Sequence, residues 1–247
     1  MSSFQMLKQQ SSLYLEMDRQ YQSNETTPSD ISDDILALCS DLTGGRPQYI
    51  PVINDQYGLY RWCVDGVKEK ISNDGGELVF GWTIWEWPNV LVNAGYHAIW
   101  KDSDQKLFDI TPKPQDEKEI LFLLDESKDQ DFDFDQRPRS VLQKIYKTPY
   151  TDDFYQQKIK GMKASQLAYE EKRARQSGLS IIDWLKRKQP SDDLEHSIDS
   201  YLSITNELFD RLETIPANAP LTRDKKNEEL SAKQIRLVEK IKHLSSK

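Results

Sequence analysis

The chain has 247 residues, with 33 Lys+Arg against 41 Asp+Glu and a formal net charge of −8. Only 37% of residues are apolar and the mean hydropathy is −0.75, so no stretch of about 18 apolar residues spans a membrane. The 8 Phe, 11 Tyr and 6 Trp are too many aromatics for a disordered chain, while two cysteines make neither a disulfide framework nor a Cys-rich zinc site. With no basic and apolar leader pattern at Met1-Ser2-Ser3-Phe4-Gln5, a reducing, cytoplasmic setting is predicted.

Charge is unevenly spread. Residues 1–145 carry 14 Lys+Arg and 25 Asp+Glu, a balance of −11; residues 146–247 carry 19 and 16, a balance of +3. An acidic front half cannot neutralise phosphates. The one basic cluster, Lys186-Arg187-Lys188, lacks interleaved aromatics and is flanked by acids, so it reads as a solvated helix end and no nucleic-acid partner is predicted.

In chain order, Phe4, Leu7, Tyr14, Met17 and Tyr21 recur at loose helical spacing and predict a marginal helix over the first 22 residues. Residues 23–30 form a loop ending in a capping residue, and Ile31 to Leu42 form a short helix stopped by Gly44-Gly45. Strand texture begins at Gln48. A helix starts around Trp62-Cys63, with Val64, Val67 and Ile71 on one face, and Asn73-Asp74-Gly75-Gly76 ends it. Strands are predicted over Glu77 to Trp87, Val90 to Trp100 and Lys106 to Ile110; Ile120 to Leu124 is a further strand or the end of the sheet domain. All Trp except Trp184 fall between positions 62 and 100, which places the densest core there. Beyond Asp125 the pattern is charged and helical. Ser140 to Tyr146, Asp152 to Gln176, Ser180 to Lys188, Asp192 to Ile215 and Lys225 to Leu244 are helix candidates, punctuated by Pro190, Pro216 and Pro220. In the fourth, Ile198, Tyr201, Leu202, Leu208, Phe209, Leu212 and Ile215 form one apolar stripe.

Three residues suggest chemistry. A Cys63 at a helix N-terminus meets the dipole and free backbone N–H groups, which favour the thiolate; otherwise it is a small buried hydrophobe beside Trp62. His97 is the one His inside a strand-like run. The segment from His97 to Asp109 reads as a hairpin with a loop of about five residues. If Trp100 pairs with Lys106, His97 faces Asp109 directly across the ladder, close enough for the carboxylate to hold one imidazole nitrogen and leave the other free. A one-residue slip would separate them onto opposite faces. An activated thiol, a base within reach and a group that orients the base are the parts of acyl transfer through a covalent intermediate.

The order Cys63, His97, Asp109, with His97-Ala98-Ile99-Trp100 and Asp109-Ile110-Thr111-Pro112, resembles the transglutaminase-like branch of the papain-like cysteine enzymes. The resemblance covers about residues 35–125 and includes the block Gly81 to Pro88. It implies an α+β fold, in which a helix bearing the Cys packs on a small antiparallel sheet bearing His and Asp, followed by a helical C-terminal region. The segments expected are 1–30, an N-terminal helix and linker; 31–125, the core; 126–150, an acidic linker; and 151–247, helices. It also implies Cys63 as nucleophile, His97 as general base and then acid, and Asp109 as orienter. Family activities include transamidation, deamidation and amide hydrolysis on a protein or peptide, with no cofactor, and some lineages have lost catalysis. In that last case the amphipathic helices of 151–247 would bind a protein partner.

Further residues are candidates with alternatives open. Gln56 is an oxyanion-hole donor or a surface loop residue. Trp62, Trp82, Trp85 and Trp87 line a groove or fill the core, and Glu86 is a groove carboxylate or the exposed side of an edge strand. Asp131 to Asp135 begins like a calcium loop, but Gln136 and Leu142 stand where Gly and a bidentate Glu are needed, so an acidic linker is predicted. No phosphate-binding glycine loop and no zinc ligand set are present, and no metal is expected.

Overall fold

The computed structural model describes residues 3–20, 23–189, 191–213 and 224–246. Tyr21, Pro190, Ile215, Pro216, Pro220 and the Leu212 side chain lie outside that description. The chain forms two compact units, Met1–Ile145 and Tyr146–Lys247. The first takes in more than residues 31–125: the N-terminal helix and the segment 126–145 belong to it.

The first unit is α+β. It contains helices α1 (Ser3–Arg19), α2 (Asp33–Leu42) and α3 (Cys63–Asp74). Its strands are β1 (Gln48–Pro51), β2 (Glu77–Trp87), β3 (Leu91–Lys101), β4 (Leu107–Phe108), β5 (Glu119–Leu124) and β6 (Val141–Lys144). The strands pair antiparallel in the order β1-β5-β2-β3-β4, with β6 also on β3. A parallel bridge from Val52 to Asp109 then joins the two ends of this path, so the sheet returns on itself.

Alternation along the strands explains the core. Leu78, Phe80, Trp82 and Ile84 of β2, with Val92, Ala94, Tyr96 and Ala98 of β3, pack with Val67 of α3 and with Ile35, Leu38 and Cys39 of α2. On the opposite face Ile50, Ile99, Ile120 and Phe122 form a second cluster. The cap of α2 is Ser32, which accepts from the Ile35 N–H, and not the residue at the end of 23–30, so the helix starts at Asp33 instead of Ile31.

Several expectations are corrected. Residues 140–146 are not a helix: Val141–Lys144 is β6, because the outer edge of β3 offers a ladder at Leu91–Ala94 that outweighs local propensity. Part of the acidic stretch expected as a linker over 126–150 packs on the sheet. Phe132 and Phe134 pack on Phe80 and Tyr96 with ring centroids 5.3–6.0 Å apart, which fastens the acids between them to the sheet. The single helix expected over 152–176 is broken at Gly161, a poor helix former, into α4 (Asp152–Lys160) and α5 (Ala164–Gln176).

The hairpin register also differs. Trp100 pairs with Phe108, not Lys106, because Asp102 closes the loop through both its backbone and its carboxylate on Lys106, with Gln105 at φ 66°. The change is two residues, and a two-residue change keeps every side chain on its own face. Asp109, one step beyond the ladder, therefore remains on the face of His97, one diagonal away. β4 is only two residues long because the Asp109 backbone turns to β1 instead: its N–H donates to Pro51 O (3.0 Å) and its carbonyl accepts from the Ile53 N–H (2.9 Å).

The second unit is helical: α4, α5, α6 (Ile181–Lys188), α7 (Asp193–Glu213) and α8 (Lys225–Ser245). In α7, Ile198, Tyr201 and Leu208 are buried, as are Leu230 and Ile241 of α8, so the described apolar residues of both helices are largely used in packing. Lys186 and Lys188 pair with Asp152 (2.7 Å) and Glu170 (2.6 Å), in keeping with an ordinary helix end. Among the described residues no helix is long and apolar enough to cross a membrane.

Gly58 decides how closely the loop before α3 approaches Asp109's strand end. A Cβ there would lie 2.0 Å from the Ile110 carbonyl oxygen, a backbone atom that cannot step aside. Gly58→Ala is expected to destabilise the first unit by about 2–4 kcal/mol in urea unfolding, as overpacking against backbone does.

Candidate active site

The outer edge of β3 is paired at both ends and open in the middle. β6 covers Leu91–Ala94 and β4 covers Trp100–Lys101; among the described residues no strand pairs with 95–99 on that side. The N-terminus of α3 sits at this opening. Its first residue, Cys63, is 8% exposed, and its sulfur is held by the His97 ring and by the Ala98 backbone N–H. The thiol thus takes a sheet-edge amide that a neighbouring strand would otherwise bind.

The start of α3 is built for an anion. Trp62 is its N-cap and supplies no side-chain hydrogen bond, so the first turn's N–H groups are not satisfied by a cap. Arg61 immediately before it is a non-glycine residue at φ 71°. Asp18 of α1 holds that strained residue by a 2.8 Å ion pair, and the guanidinium lies 4.4 Å from the Tyr14 ring centroid. Ser11 of α1 accepts from the Tyr60 N–H at 2.7 Å. The N-terminal helix is therefore the brace of the loop that aims Cys63.

On the other side of His97, Nε2 lies 3.1 Å from Asp109 Oδ2, leaving Nδ1 outside that bond. Asp109 is fully buried. Its Oδ1 accepts from the Thr111 N–H at 2.8 Å, and its Oδ2 is shared with the ammonium of Lys113. Lys113 is 8% exposed and lines the cleft.

The electrostatics follow. Burial opposes the carboxylate of Asp109, but Lys113 and His97 outweigh it and hold it well below the usual range. Burial likewise opposes a charged His97 ring; Asp109 and Cys63 override this, against a smaller opposing push from Lys113, and raise it to about 9. Burial also disfavours a Cys63 thiolate, yet the imidazolium, its hydrogen bond and the Ala98 N–H bring the thiol below its ordinary value. Both shifts favour a thiolate beside an imidazolium. Cys39, buried among apolar groups, is instead pushed up to about 11.

A cleft of about 850 Å³ opens over this pair. Of the sequence candidates, Cys63, His97, Trp62 and Trp85 line it. Trp82 is 4% exposed and stacks edge-on with Tyr96 at 5.1 Å, so it belongs to the core, as does Trp87 at 7%. Gln56 is exposed in a turn, where its carbonyl accepts from Lys8 Nζ (2.9 Å), and it does not line the cleft. Glu86 lies off the cleft too; its backbone bridges Thr26. Sequence reasoning missed Lys113, Glu25 and Asn93. Only the Pro112-Lys113-Pro114 setting, which fixes the backbone four residues past Asp109, hinted at the first. Among the described residues no cluster of metal-ligating side chains occurs.

Two outcomes are expected. Iodoacetamide at pH 7 labels Cys63 and not Cys39, and its rate half-point lies below that of a free thiol; His97→Ala moves the half-point up and slows labelling at pH 7 by about tenfold or more, read by peptide mass spectrometry. Because Lys113 opposes the charged ring, Lys113→Met is expected to raise the His97 titration midpoint above that of the wild type, as followed by imidazole nitrogen chemical shifts. Compared with known proteins, the chain matches no family model, no curated protein and no solved structure, so the site is read from its own geometry.

Proposed function

We propose that the first unit is a cysteine-dependent enzyme of the transglutaminase-like kind, acting on a carboxamide or peptide amide of a protein or peptide. The observation that carries this is the His97 ring set between the Cys63 sulfur and the buried Asp109 carboxylate, at the mouth of a cleft. Buried thiols without a task sit as Cys39 does, in apolar surroundings.

The thiolate of Cys63 attacks the amide carbonyl, forming a C–S bond and an oxyanion. The Cys63 N–H at the head of α3 is placed to receive that oxyanion, with the dipole assisting. His97 gives its proton to the departing nitrogen, the C–N bond breaks, and amine or ammonia leaves a thioester on Cys63. The neutral ring then takes a proton from water or an incoming amine, which attacks the thioester, and C–S cleavage restores the thiolate. Asp109 keeps the ring oriented and stabilises its positive form throughout. The reaction needs no cofactor.

The alternative, an inactive relative that binds partners through its helical unit, draws less support. The described apolar side chains of the α7 stripe are buried or half-buried, Leu230 and Ile241 of α8 are buried, and the large exposed apolar side chains described in that unit are Tyr169 and Ile235, which stand singly.

Hydroxylamine intercepts any acyl thioester, whichever acceptor the enzyme normally uses. Incubation with a mixed peptide library containing Gln and Asn, plus hydroxylamine, is expected to yield peptide hydroxamates detectable by mass spectrometry. Cys63→Ala abolishes them, and Asp109→Asn lowers the rate by about 10²–10⁴-fold. Absence of hydroxamate, cleaved peptide and deamidated peptide alike would sink the enzyme reading.

A further inference from the structure

We propose that the end of the cleft formed by Glu25 and Asn93 is a subsite for a cationic side chain, so that the substrate is a basic peptide segment. This rests on the thiol chemistry above and adds the character of what the cleft binds.

The cleft wall is short of donors. Glu25 Oε2 accepts from Asn93 Nδ2 at 2.8 Å, the only side-chain partner of that carboxylate among the described residues. Asn93 Oδ1 is itself buried without a partner. Glu117 Oε2 and the Thr111 hydroxyl are also buried and unpartnered, Thr111 being 5% exposed, and both residues line the same cleft. Asn93 Oδ1 and Glu117 Oε2 are pure acceptors, the Thr111 hydroxyl can also donate, and buried acceptors left empty cost free energy until a donor arrives. Ammonium and guanidinium groups are the donors without acceptors of their own.

Charge points the same way. Of the cations lining the cleft, Arg61 is paired with Asp18 and Lys113 with Asp109, while Arg137 donates to the Phe134 carbonyl and lies 4.9 Å from that ring's centroid. Among the described residues Glu25 has only a neutral side-chain partner. Burial raises its carboxyl above the ordinary value, and a bound cation would oppose that shift. The surrounding residues 1–145 carry the balance of −11, a field that draws in positive ligands.

The strand supplies a ruler. Asn93 and His97 lie on the same face of β3, four residues apart, a span of about 13 Å. An extended peptide covers that distance in about four residues. The basic side chain is thus placed three or four residues from the carbonyl that Cys63 attacks, not beside it.

The test uses the full chain and iodoacetyl-tipped alanine peptides bearing one Arg or one Glu at the first to fourth residue, with the reactive group at either terminus. The Cys63 alkylation rate is read from intact mass. At the third or fourth residue the Arg peptide is expected to react about tenfold faster than the Glu peptide, with little difference at the first. Glu25→Gln is expected to bring that ratio near one, whereas Asp104→Asn, which removes a charge from the exposed hairpin loop, leaves it as in the wild type. A wild-type ratio near one, a preference confined to the first residue, or an Arg advantage that survives Glu25→Gln in a variant with native circular dichroism overturns the subsite. The wild-type position dependence decides the matter if Glu25→Gln does not fold. Failure of Cys63 to react with plain iodoacetamide would instead count against the thiolate, which is a separate outcome.

Discussion

The Asp109 carboxylate is the point on which the first unit and its candidate site both hang. Fully buried, it would be untenable alone; it survives because His97, Lys113 and the Thr111 N–H all donate to it. Its backbone is clamped as well, with β1 bonded on both sides of the residue. That clamp draws the end of the hairpin away from β3, shortens β4 to two residues and joins the ends of the sheet. The short β4 in turn leaves the middle of β3 open, and the opening is where the head of α3 enters. One residue therefore fixes ring orientation through its carboxylate, and sheet closure and access to the thiol through its backbone.

A charge shared between a ring and an ammonium also divides its influence. Asp109 pulls the imidazole toward its charged form, and Lys113 pulls back, so the ring is held high without being locked. In the proposed reaction, where the ring both gives and takes a proton, that intermediate setting is an advantage. Lys113 acts through Asp109 and is a positioning residue in this sense.

Much of this was legible in the residues. The helix start at Cys63, the long β2–β3 hairpin and the face shared by His97 and Asp109 follow from alternation and turn chemistry, which are local. The face survived a wrong register because strand geometry repeats every two residues. What failed was decided by distant partners. Val141–Lys144 became a strand because β3 had an open edge, and Phe132 and Phe134 turned an acidic stretch into a packed flap over Phe80 and Tyr96. Lys113 and the Glu25–Asn93 pair were invisible for the same reason: a buried polar residue reads as an exposed one until its partner is known. Gln56 looked apt by residue type alone, and the turn at 56–57 points its backbone to α1 instead.

The open stretch of β3 has a second consequence, one of solubility. A strand with five residues unpaired on one side is an invitation for another chain to add a strand and begin aggregation. Here the head of α3 stands in the gap, with the Cys63 sulfur on the Ala98 amide and β4 and β6 closing either end. The element that presents the Cys63 thiol is thus also the guard of the sheet's weakest edge. The two duties constrain evolution jointly: loosening α3 to widen the cleft would uncover a sticky strand, which gives selection a reason to hold the helix in place whatever the thiol does.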